Sequence, residues 1–252
     1  MESGIAEMVG VQLYSVRQLL TDDPVRTVRG LAEIGYRWAE LGGQEPSTVV
    51  SLLRENGIEA RGAHVQLCDL AAPYDRLAEL AAYGFSDVAL AWVGPADRAR
   101  REQVERLAEL LGEAGRAAAS LGMRMLYHNH EFEYQDMGGW TVDSVLRARL
   151  EGLPVYFELD VYHCTEAGVD AAAQLRRLAG RVPLVHAKDM SKQEGRGFVP
   201  VGEGRIDWPG VLASGRESGV ESYIVEQDSS RQPLVDLRTS WVNLIGLLEE
   251  AE

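Results

Sequence analysis

The stretch that decides the fold is Arg98–Leu121, RARREQVERLAELLGEAGRAAASL, followed by Gly122 and by Met123–His128, MRMLYH. Apolar residues from Val104 to Leu111 recur at i, i+3, i+4 and i+7, while Arg, Glu and Gln fill the opposite face. This pattern predicts an amphipathic helix. Gly122 is expected to end the helix, because glycine readily takes the left-handed cap conformation. The short apolar run after it predicts a strand, so the stretch is one helix–turn–strand unit.

The same unit recurs along the rest of the chain. Short apolar runs, each followed by a turn and a segment with helical period, predict eight strands. These are Met8–Leu13, Trp38–Leu41, Ile58–His64, Asp87–Trp92, Met123–His128, Val155–Asp160, Pro183–His186 and Ser222–Glu226. Glycines that end predicted helices precede five of them, at Gly35, Gly57, Gly84, Gly122 and Gly219. Several runs are apolar on both faces, which is typical of a parallel sheet covered by helices.

The number of units favours one fold over its main competitor. Eight βα units in 252 residues are typical of a (β/α)8 TIM barrel. A doubly wound open sheet normally has fewer strands, and no G-x-G-x-x-G sequence follows the first predicted strand. No low-complexity linker divides the chain. We therefore predict an α/β protein with a (β/α)8 TIM barrel that forms a single domain over residues 1–252.

Composition and charge exclude several classes of function. The chain has 25 Lys+Arg against 39 Asp+Glu, a net charge of −14, which disfavours nucleic acid and anionic membranes as partners. No basic leader precedes an apolar N-terminal segment, and charges interrupt every apolar run before it is long enough to span a bilayer. The two cysteines, Cys68 and Cys164, cannot build a disulfide framework. Both lie in apolar stretches, so we expect buried thiols and a cytoplasmic protein.

Polar residues gather at the predicted carboxyl ends of the strands, where TIM barrels build their sites. All five histidines fall at or just beyond a strand end: His64, His128, His130, His163 and His186. Acidic residues occupy matching positions: Glu40, Glu131, Glu133, Asp160, Asp189 and Glu226. Carboxylates that converge with imidazoles from adjacent strands suit a divalent cation. The pattern therefore indicates a metal site at this end of the barrel.

Five segments together resemble the sugar phosphate isomerase/epimerase superfamily, the xylose isomerase-like TIM barrels, in the branch with a His-Asn-His sequence. They are Tyr127–Glu133 (YHNHEFE), Glu158–His163 (ELDVYH), His186–Asp189 (HAKD), Val225-Glu226 and Val201–Asp207 (VGEGRID). The resemblance begins with Val11–Ser15 (VQLYS) and runs over the full chain. The order of the segments makes it specific, since each motif alone is weak.

The resemblance implies one divalent metal ion, often Mn²⁺, Mg²⁺, Co²⁺ or Zn²⁺, held by residues from strands five to eight. Carried over position by position, the ligands are Glu133, Asp160, His186 and Glu226. The strand-five ligand matches least well, because Tyr127–Asn129 occupies the place where ketose epimerases have their glutamate. We expect Glu133 rather than Glu131 in this role, and His128 or His130 is the alternative ligand.

The chemistry expected of such a site is proton transfer beside a carbonyl group. A metal that chelates a ketone oxygen and the adjacent hydroxyl stabilises the enediolate as a Lewis acid. A carboxylate removes and returns the proton, and we expect Glu226 to do this, with Glu133 opposite. His163 matches the family's substrate-contacting histidine and is expected to orient or protonate a substrate oxygen. Lys188 is expected to stabilise the oxyanion or to hold a substrate carboxylate or phosphate.

The pocket wall is predicted from the same strand ends. The expected substrate contacts are His64, His128, Asn129, His130, His163 and Lys188. Weaker candidates are Gln12, Tyr14, Glu40, Trp92 and Phe132, of which the two aromatic residues either stack on a sugar face or simply pack at the mouth. The loop Gln193–Arg205 carries four glycines together with Arg196 and Arg205. It is a candidate phosphate-gripping flap, although it lacks the P-loop pattern.

The resemblance thus implies a metal-dependent isomerase or epimerase of carbohydrate metabolism, acting on a sugar, sugar phosphate or polyol, and a homo-oligomer. The same enediolate can instead expel a leaving group, as in inosose dehydratases and in enzymes that cleave 3-keto-glycosides, with His128 or His130 as the acid. An endonuclease-like metal hydrolase is less favoured, because five histidines and a charge of −14 do not suit a three-zinc, DNA-facing site. A non-catalytic carbohydrate-binding barrel that has lost its metal is a further alternative. The presence of Asp160, His186 and Glu226 argues against it, although the fold alone does not guarantee activity.

Overall fold

Eight parallel strands of the computed structural model close into a barrel, and the structure describes residues 2–193, 195 and 197–251. The strands are β1 (Val9–Gln12), β2 (Trp38–Leu41), β3 (Glu59–Val65), β4 (Asp87–Leu90), β5 (Arg124–His128), β6 (Val155–Asp160), β7 (Leu184–Ala187) and β8 (Ser222–Val225). Each strand pairs in parallel with the next one along the chain, and β8 closes the ring against β1. The predicted (β/α)8 TIM barrel is confirmed.

The helices cover the outside of this barrel. The α-helices are Glu2–Glu7, Arg17–Asp22, Pro24–Ile34, Pro46–Glu55, Pro73–Tyr83, Pro95–Arg98, Arg101–Ser120, Val142–Arg149, Val161–Glu166, Ala171–Arg177, Trp208–Ser218 and Pro233–Ala251, with 3₁₀ turns at Leu13–Val16, Leu67–Ala71 and Glu131–Tyr134. A short antiparallel ribbon, Asp189–Met190 with Phe198–Val199, follows β7. The barrel draws its strands from residues 9 to 225, and the single domain over residues 1–252 stays a prediction.

The predicted element boundaries hold with small shifts. The long helix begins at Arg101 rather than Arg98, because Pro95–Arg98 forms a separate turn. The five predicted helix-ending glycines all have positive φ, between 73° and 131°. β4 ends at Leu90 instead of Trp92, since the chain leaves the sheet there and enters the mouth of the barrel. None of the described helices combines the length and apolar character that a bilayer crossing needs.

The barrel interior is layered, and the layers place the polar residues. Its lower layer is apolar: Trp38, Ala89, Leu126, Leu184 and Ile224. β1 contributes Gly10 at this level, where a Cβ atom would lie 2.5 Å from the Trp38 indole. Side chains of a strand alternate between its two faces, so the residues two positions further along again point inward. These include Gln12, Glu40, His128, His186 and Glu226, and they form a buried polar layer above the apolar one.

The two cysteines differ in their surroundings. Both are free; Cys164 is buried, whereas Cys68 is exposed. The expectation of a buried thiol is therefore wrong for Cys68, because the 3₁₀ turn Leu67–Ala71 turns that side chain outward while Leu70 takes the buried position. An apolar stretch outside a regular strand or helix does not by itself decide which of its residues is buried.

Candidate active site

A cavity of about 460 Å³ opens at the carboxyl end of the barrel. Its wall includes His64, His128, His130, His163, Lys188 and Glu226, all of which the sequence places in the site. Tyr14, Trp92, Glu131 and Asp228 complete its rim, together with small residues. The cavity therefore lies where a TIM barrel carries its chemistry.

Three of the predicted metal ligands meet beside this cavity, and Glu226 is the one that lines it. Asp160 ends β6, His186 lies on β7 and Glu226 follows β8, and one ligand atom from each lies within 4.8 Å of the others. Asp160 Oδ1 accepts a hydrogen bond from His163 N at 2.9 Å and so caps the next helix. Asp160 Oδ2 is buried and lies 3.0 Å from the Lys188 ammonium. A set of two carboxylates and an imidazole fits a divalent cation.

The backbone of Asp160 is held by a neighbouring side chain. Asn129 Oδ1 accepts a hydrogen bond from Asp160 N at 2.9 Å, and Asn129 Nδ2 donates to Asp160 O at 3.3 Å. Asn129 is buried and is not part of the described cavity wall. This residue, expected to contact substrate, thus fixes the end of β6 at Asp160, the predicted ligand.

Lys188 supplies a buried positive charge at the cavity floor. Its Nζ lies 3.0 Å from Asp160 Oδ2, 2.8 Å from Glu226 Oε2 and 3.0 Å from Asp228 Oδ1. Burial alone lowers the pKa of Lys188, but these carboxylates outweigh burial and raise the pKa well above its usual value. Conversely, burial raises the pKa of Glu226, yet Lys188 and His186 bring it well below the usual range. The ammonium therefore pairs with Asp160 and Glu226, whose pKa values lie below their usual range, whereas burial raises the pKa of Asp228.

Glu133 does not meet the group formed by Asp160, His186 and Glu226. Its carboxylate accepts hydrogen bonds from Tyr127 Oη at 2.7 Å and from His130 N at 2.8 Å. It lies on the outer side of the barrel, under the helix Val142–Arg149, where burial raises its pKa to about 8.

The β5 side chain next to the metal group is His128, the alternative ligand. Its Nε2 lies 3.8 Å from Asp160 Oδ2. Burial and the nearby His186 lower the pKa of His128 to about 4.

His186 is surrounded by a network of carboxylates. The Nδ1 atom of His186 lies 2.8 Å from Glu226 Oε2, and its Nε2 atom lies 2.8 Å from Glu40 Oε2 and 3.1 Å from Glu158 Oε2. Gln12 Nε2 donates to the same Glu40 oxygen at 2.7 Å. Outer carboxylates of this kind orient a metal-binding imidazole and decide which nitrogen carries its proton. Here they hold Nε2, which leaves Nδ1 facing Glu226.

The same carboxylates hold two further imidazoles. His64 Nε2 lies 3.1 Å from Glu40 Oε2 and 3.0 Å from Glu158 Oε2, and His128 Nδ1 lies 2.9 Å from Glu158 Oε2. Burial lowers the pKa of His64, but Glu40 and Glu158 outweigh it and raise the pKa to about 10. His64 and His128 thus carry different charges although their rings lie only 5.3 Å apart.

A second group of polar side chains lies at the mouth. His163 Nδ1 is 3.2 Å from Glu131 Oε2 and 3.4 Å from Glu166 Oε2. The His130 ring lies 4.6 Å from that of His163 and stacks on Phe132 with an interplanar angle of 4°. Phe132 is buried and so supports His130 from behind, in agreement with the packing interpretation of this residue.

Trp92 is the exposed aromatic residue of the mouth. Its side chain is 49% exposed, and the edge-on contacts with His130 and Phe132 have centroid distances of 5.0 and 5.2 Å. One face of a large apolar ring therefore stays open to the cavity. The interpretation of Trp92 as a surface for a sugar face is compatible with this placement.

The loop after β7 is anchored by Asp189 rather than free to grip a phosphate. The Asp189 carboxylate accepts hydrogen bonds from Gly202 N at 2.9 Å, Gly204 N at 3.1 Å and Ile206 N at 3.2 Å. A Cβ atom at Gly204 would lie 2.0 Å from Asp189 Oδ1, so only glycine allows this approach. Asp189 thus serves the loop instead of the metal group, and Arg196 lies outside the described residues.

Comparison with known proteins agrees with this architecture. The family model of the xylose isomerase-like TIM barrel matches residues 28–248. The chain belongs to this family. Within the family fold, a sugar phosphate isomerase/epimerase from Parabacteroides distasonis superimposes with a TM-score of 0.80 at 19% identity, covering 95% of this chain and 94% of that one. The IolI protein, solved with a bound zinc atom, has a TM-score of 0.74 at 12% identity and covers 97% of this chain and 99% of that one.

An inosose dehydratase from Clostridium beijerinckii shares sequence with part of the chain. The two are 30% identical over 149 residues, which are 50% of this chain and 48% of the dehydratase. The match therefore spans about half the length of that relative. The structural neighbours, all under 25% identical, show the xylose isomerase-like fold alone.

Two residues of the site escaped the sequence reasoning. Glu158 was part of a matching segment without a role of its own, although it precedes Asp160 by two positions and so shares its face of β6. Asp228 stands in the same relation to Glu226 after β8. In both cases the signal was a second acid at period two from a predicted ligand.

Proposed function

We propose that this protein is a divalent-metal-dependent enzyme that removes and returns a proton beside the carbonyl group of a sugar or polyol, as an isomerase or epimerase. The observation that carries the proposal is the convergence of Asp160, His186 and Glu226, whose ligand atoms lie within 4.8 Å of one another beside the cavity that Glu226 lines. Family membership supports it. The many imidazole and carboxylate groups of the wall suit a polyhydroxylated substrate, because each can bond a hydroxyl.

Four residues would hold the metal in this proposal. Asp160, His186 and Glu226 provide three ligands, and His128 takes the strand-five position, because Glu133 is engaged with Tyr127 and the His130 backbone. When bound, the cation would act as a Lewis acid that polarises the carbonyl oxygen and stabilises negative charge there. This donor set of carboxylate oxygen and imidazole nitrogen is compatible with Mn²⁺, Co²⁺ and Zn²⁺.

The chain's own residues would carry the proton. Glu226 stays ionised beside Lys188 and His186, so its carboxylate can accept the proton from the carbon. His163, with Glu131 and Glu166 beside its Nδ1, would return a proton or bind a hydroxyl at the other side of the cavity. Lys188 would donate to an oxygen that gains charge, since its ammonium already faces the cavity floor.

A dehydratase is the second candidate function. Its support is the 30% identity over 149 residues with an inosose dehydratase. After the same proton abstraction, loss of a β-hydroxyl needs an acid near the leaving oxygen. His163 is the best placed residue, because it lines the cavity and has Glu131 and Glu166 beside its Nδ1. His130 is less suited, since burial lowers its pKa and keeps it neutral.

The proposal is tested by metal content and proton exchange. Native mass spectrometry of the purified protein should find about one divalent ion per chain, lost in an Asp160→Ala/His186→Ala double variant. Keto-sugars and inososes incubated with the Mn²⁺-loaded protein in D₂O should exchange the proton beside the carbonyl. Exchange without loss of water identifies an isomerase or epimerase, and a rising enone absorbance identifies the dehydratase. A protein that binds no ion after loading with Mn²⁺ or Zn²⁺ would refute both.

A further inference from the structure

We propose that Asp228 is a charge filter that excludes phosphorylated and other anionic substrates, so that the cavity accepts an uncharged sugar. The inference rests on the proposed function for the identity of the site. It deepens that function by naming the substrate class and the residue that selects it. It also departs from the expectation that Lys188 holds a substrate phosphate.

The side chains of the cavity wall carry more negative than positive charge. Among the described residues of its wall, Lys188 and the His64 imidazole, whose pKa is raised to about 10, carry positive charge, whereas Glu131, Glu226 and Asp228 bring three carboxylates. Arg17 lies near the rim, but its guanidinium covers the Tyr14 ring at 3.9 Å and donates to Tyr14 O at 2.7 Å. The side chains of the wall would therefore present more negative than positive charge to a phosphate.

The Lys188 ammonium is paired with three carboxylates at once. Its three carboxylate partners all lie within 3.0 Å of Nζ. Asp160 and Glu226 are buried below it, whereas the Asp228 side chain is 32% exposed and lies toward the open mouth. Since Asp160 and Glu226 are also the residues expected to hold the metal, Asp228 is the partner that belongs to Lys188 alone. An anion that approaches the ammonium would therefore meet the Asp228 carboxylate, which already pairs with it at 3.0 Å.

Backbone N–H groups of the loop after β7 are the other donors that could bind a phosphate. Phosphate sites without cationic side chains use clusters of N–H groups from glycine-rich loops. In the glycine-rich loop after β7, the N–H groups of Gly202, Gly204 and Ile206 already donate to the Asp189 carboxylate. Within the described part of the loop, those donors therefore do not serve a ligand.

The mouth does offer what an uncharged sugar needs. The exposed ring of Trp92 can cover the C–H face of a sugar, and His130 supports it edge-on at 5.0 Å. Glu131 and His163 lie on the wall within reach of hydroxyl groups. Both kinds of contact act without any charge on the ligand.

The test compares matched ligands on the Zn²⁺-loaded protein by isothermal titration calorimetry. D-fructose, D-fructose 6-phosphate and inorganic phosphate are the probes. For the wild type we expect weaker binding of the phosphorylated sugar than of the neutral one. In Asp228→Asn the affinity for fructose 6-phosphate and inorganic phosphate should rise about tenfold or more. Adding Lys188→Met to that variant should abolish the gain, because the ammonium is the group that Asp228 masks.

Controls keep the outcomes distinct. Asp75→Asn makes the same change in net charge at an exposed position outside the described cavity wall, and it should leave phosphate affinity unchanged. Equal or tighter binding of fructose 6-phosphate by the wild type overturns the inference, even if Asp228→Asn fails to fold. An unchanged phosphate affinity in a folded Asp228→Asn protein overturns it as well. Neither outcome depends on turnover, so metal content and deuterium exchange judge the proposed function separately.

Discussion

Asp189 and Glu158 are both fully buried carboxylates within the same barrel, yet their surroundings differ in kind. Asp189 accepts hydrogen bonds from the backbone N–H of Met190 and of three loop residues, and from the indole of Trp208 at 2.9 Å. Glu158 Oε2 contacts three imidazoles, and its Oε1 is buried without a partner. One carboxylate has donors that cannot change, and the other has partners that can lose or gain protons.

The Asp189 cluster therefore has a structural role, whereas the Glu158 cluster can take part in chemistry. Backbone N–H groups stay donors at every pH, so the Asp189 cluster can do nothing except hold the loop. Imidazoles change charge and bind metals, so the Glu158 cluster can respond to a cation or a substrate. An unsatisfied buried oxygen costs free energy and is retained where it has a use. We therefore expect variants in the two clusters to fail in opposite ways.

Asp160→Asn should have the largest effect on activity. The amide can still cap the helix Val161–Glu166, but it removes the charge that faces the metal position. We expect the ion to be lost and deuterium exchange to fall by about a thousandfold or more, with a smaller loss of stability in the metal-free protein than Asp189→Asn causes, because Glu226 and Asp228 still pair with Lys188. Native mass spectrometry and urea unfolding check this. A variant that keeps its metal and its activity would contradict the assigned role.

Asp189→Asn should show the opposite behaviour. Its amide nitrogen would face N–H donors of the loop, so we expect unfolding to become easier by about 3 kcal/mol. The metal content should remain near that of the wild type. Urea unfolding and native mass spectrometry of the same sample measure both quantities. Loss of the ion without loss of stability would remove the distinction between the two clusters.

Glu40→Gln and Glu158→Gln should weaken metal binding without abolishing it. Both carboxylates contact His186 Nε2, so their removal frees the ring to rotate or to change its tautomer. We expect roughly a tenfold to a hundredfold loss of Zn²⁺ affinity in a chelator competition. Glu79→Gln, on an exposed helix face, is the matched control. Unchanged affinity in both barrel variants would show that these carboxylates do not orient His186.

The smallest expected effect is a pH dependence of stability that arises from the Glu158 cluster. Glu40 and Glu158 outweigh burial and raise the pKa of folded His64 to about 10, above its ordinary 6.5. The stabilisation from this imidazolium is complete below pH 6.5 and disappears as the pH rises through 10. In the metal-free protein, the stability advantage over His64→Gln should therefore narrow by roughly 1 kcal/mol for each pH unit between about 7 and 9. An advantage that grows with pH would contradict the assignment.

The barrel and its three meeting ligands could be predicted because both depend on repetition. Apolar runs and helix-ending glycines mark every βα unit, and closure brings all strand ends to one face. Asp160, His186 and Glu226 stand at those ends, so their proximity follows from topology. Strand ends differed by up to two residues, as with β4 and Trp92, because pairing with neighbours decides where a strand stops.

The residues just beyond the strands could not be placed in this way. Asn129 and Glu133 lie where the chain leaves β5, and a small change in its direction decides between the cavity and the outer helices. Their actual partners, the Asp160 backbone and the Tyr127 hydroxyl, are contacts of tertiary structure that no spacing encodes. The charge state of His64 likewise depends on Glu40 and Glu158, which are distant in sequence.

The layering of the barrel interior has a consequence for how such a protein can evolve. An insertion of one residue within β6 would turn Phe157 and Leu159 inward and carry Glu158 and Asp160 out among the helices. The strands therefore tolerate substitution but not a change of length. Trp92 and Asp228 stand beyond the strand ends, where residues can be replaced or added without shifting any register. Substrate preference can thus diversify by mutation at the mouth while the reactive floor is inherited intact.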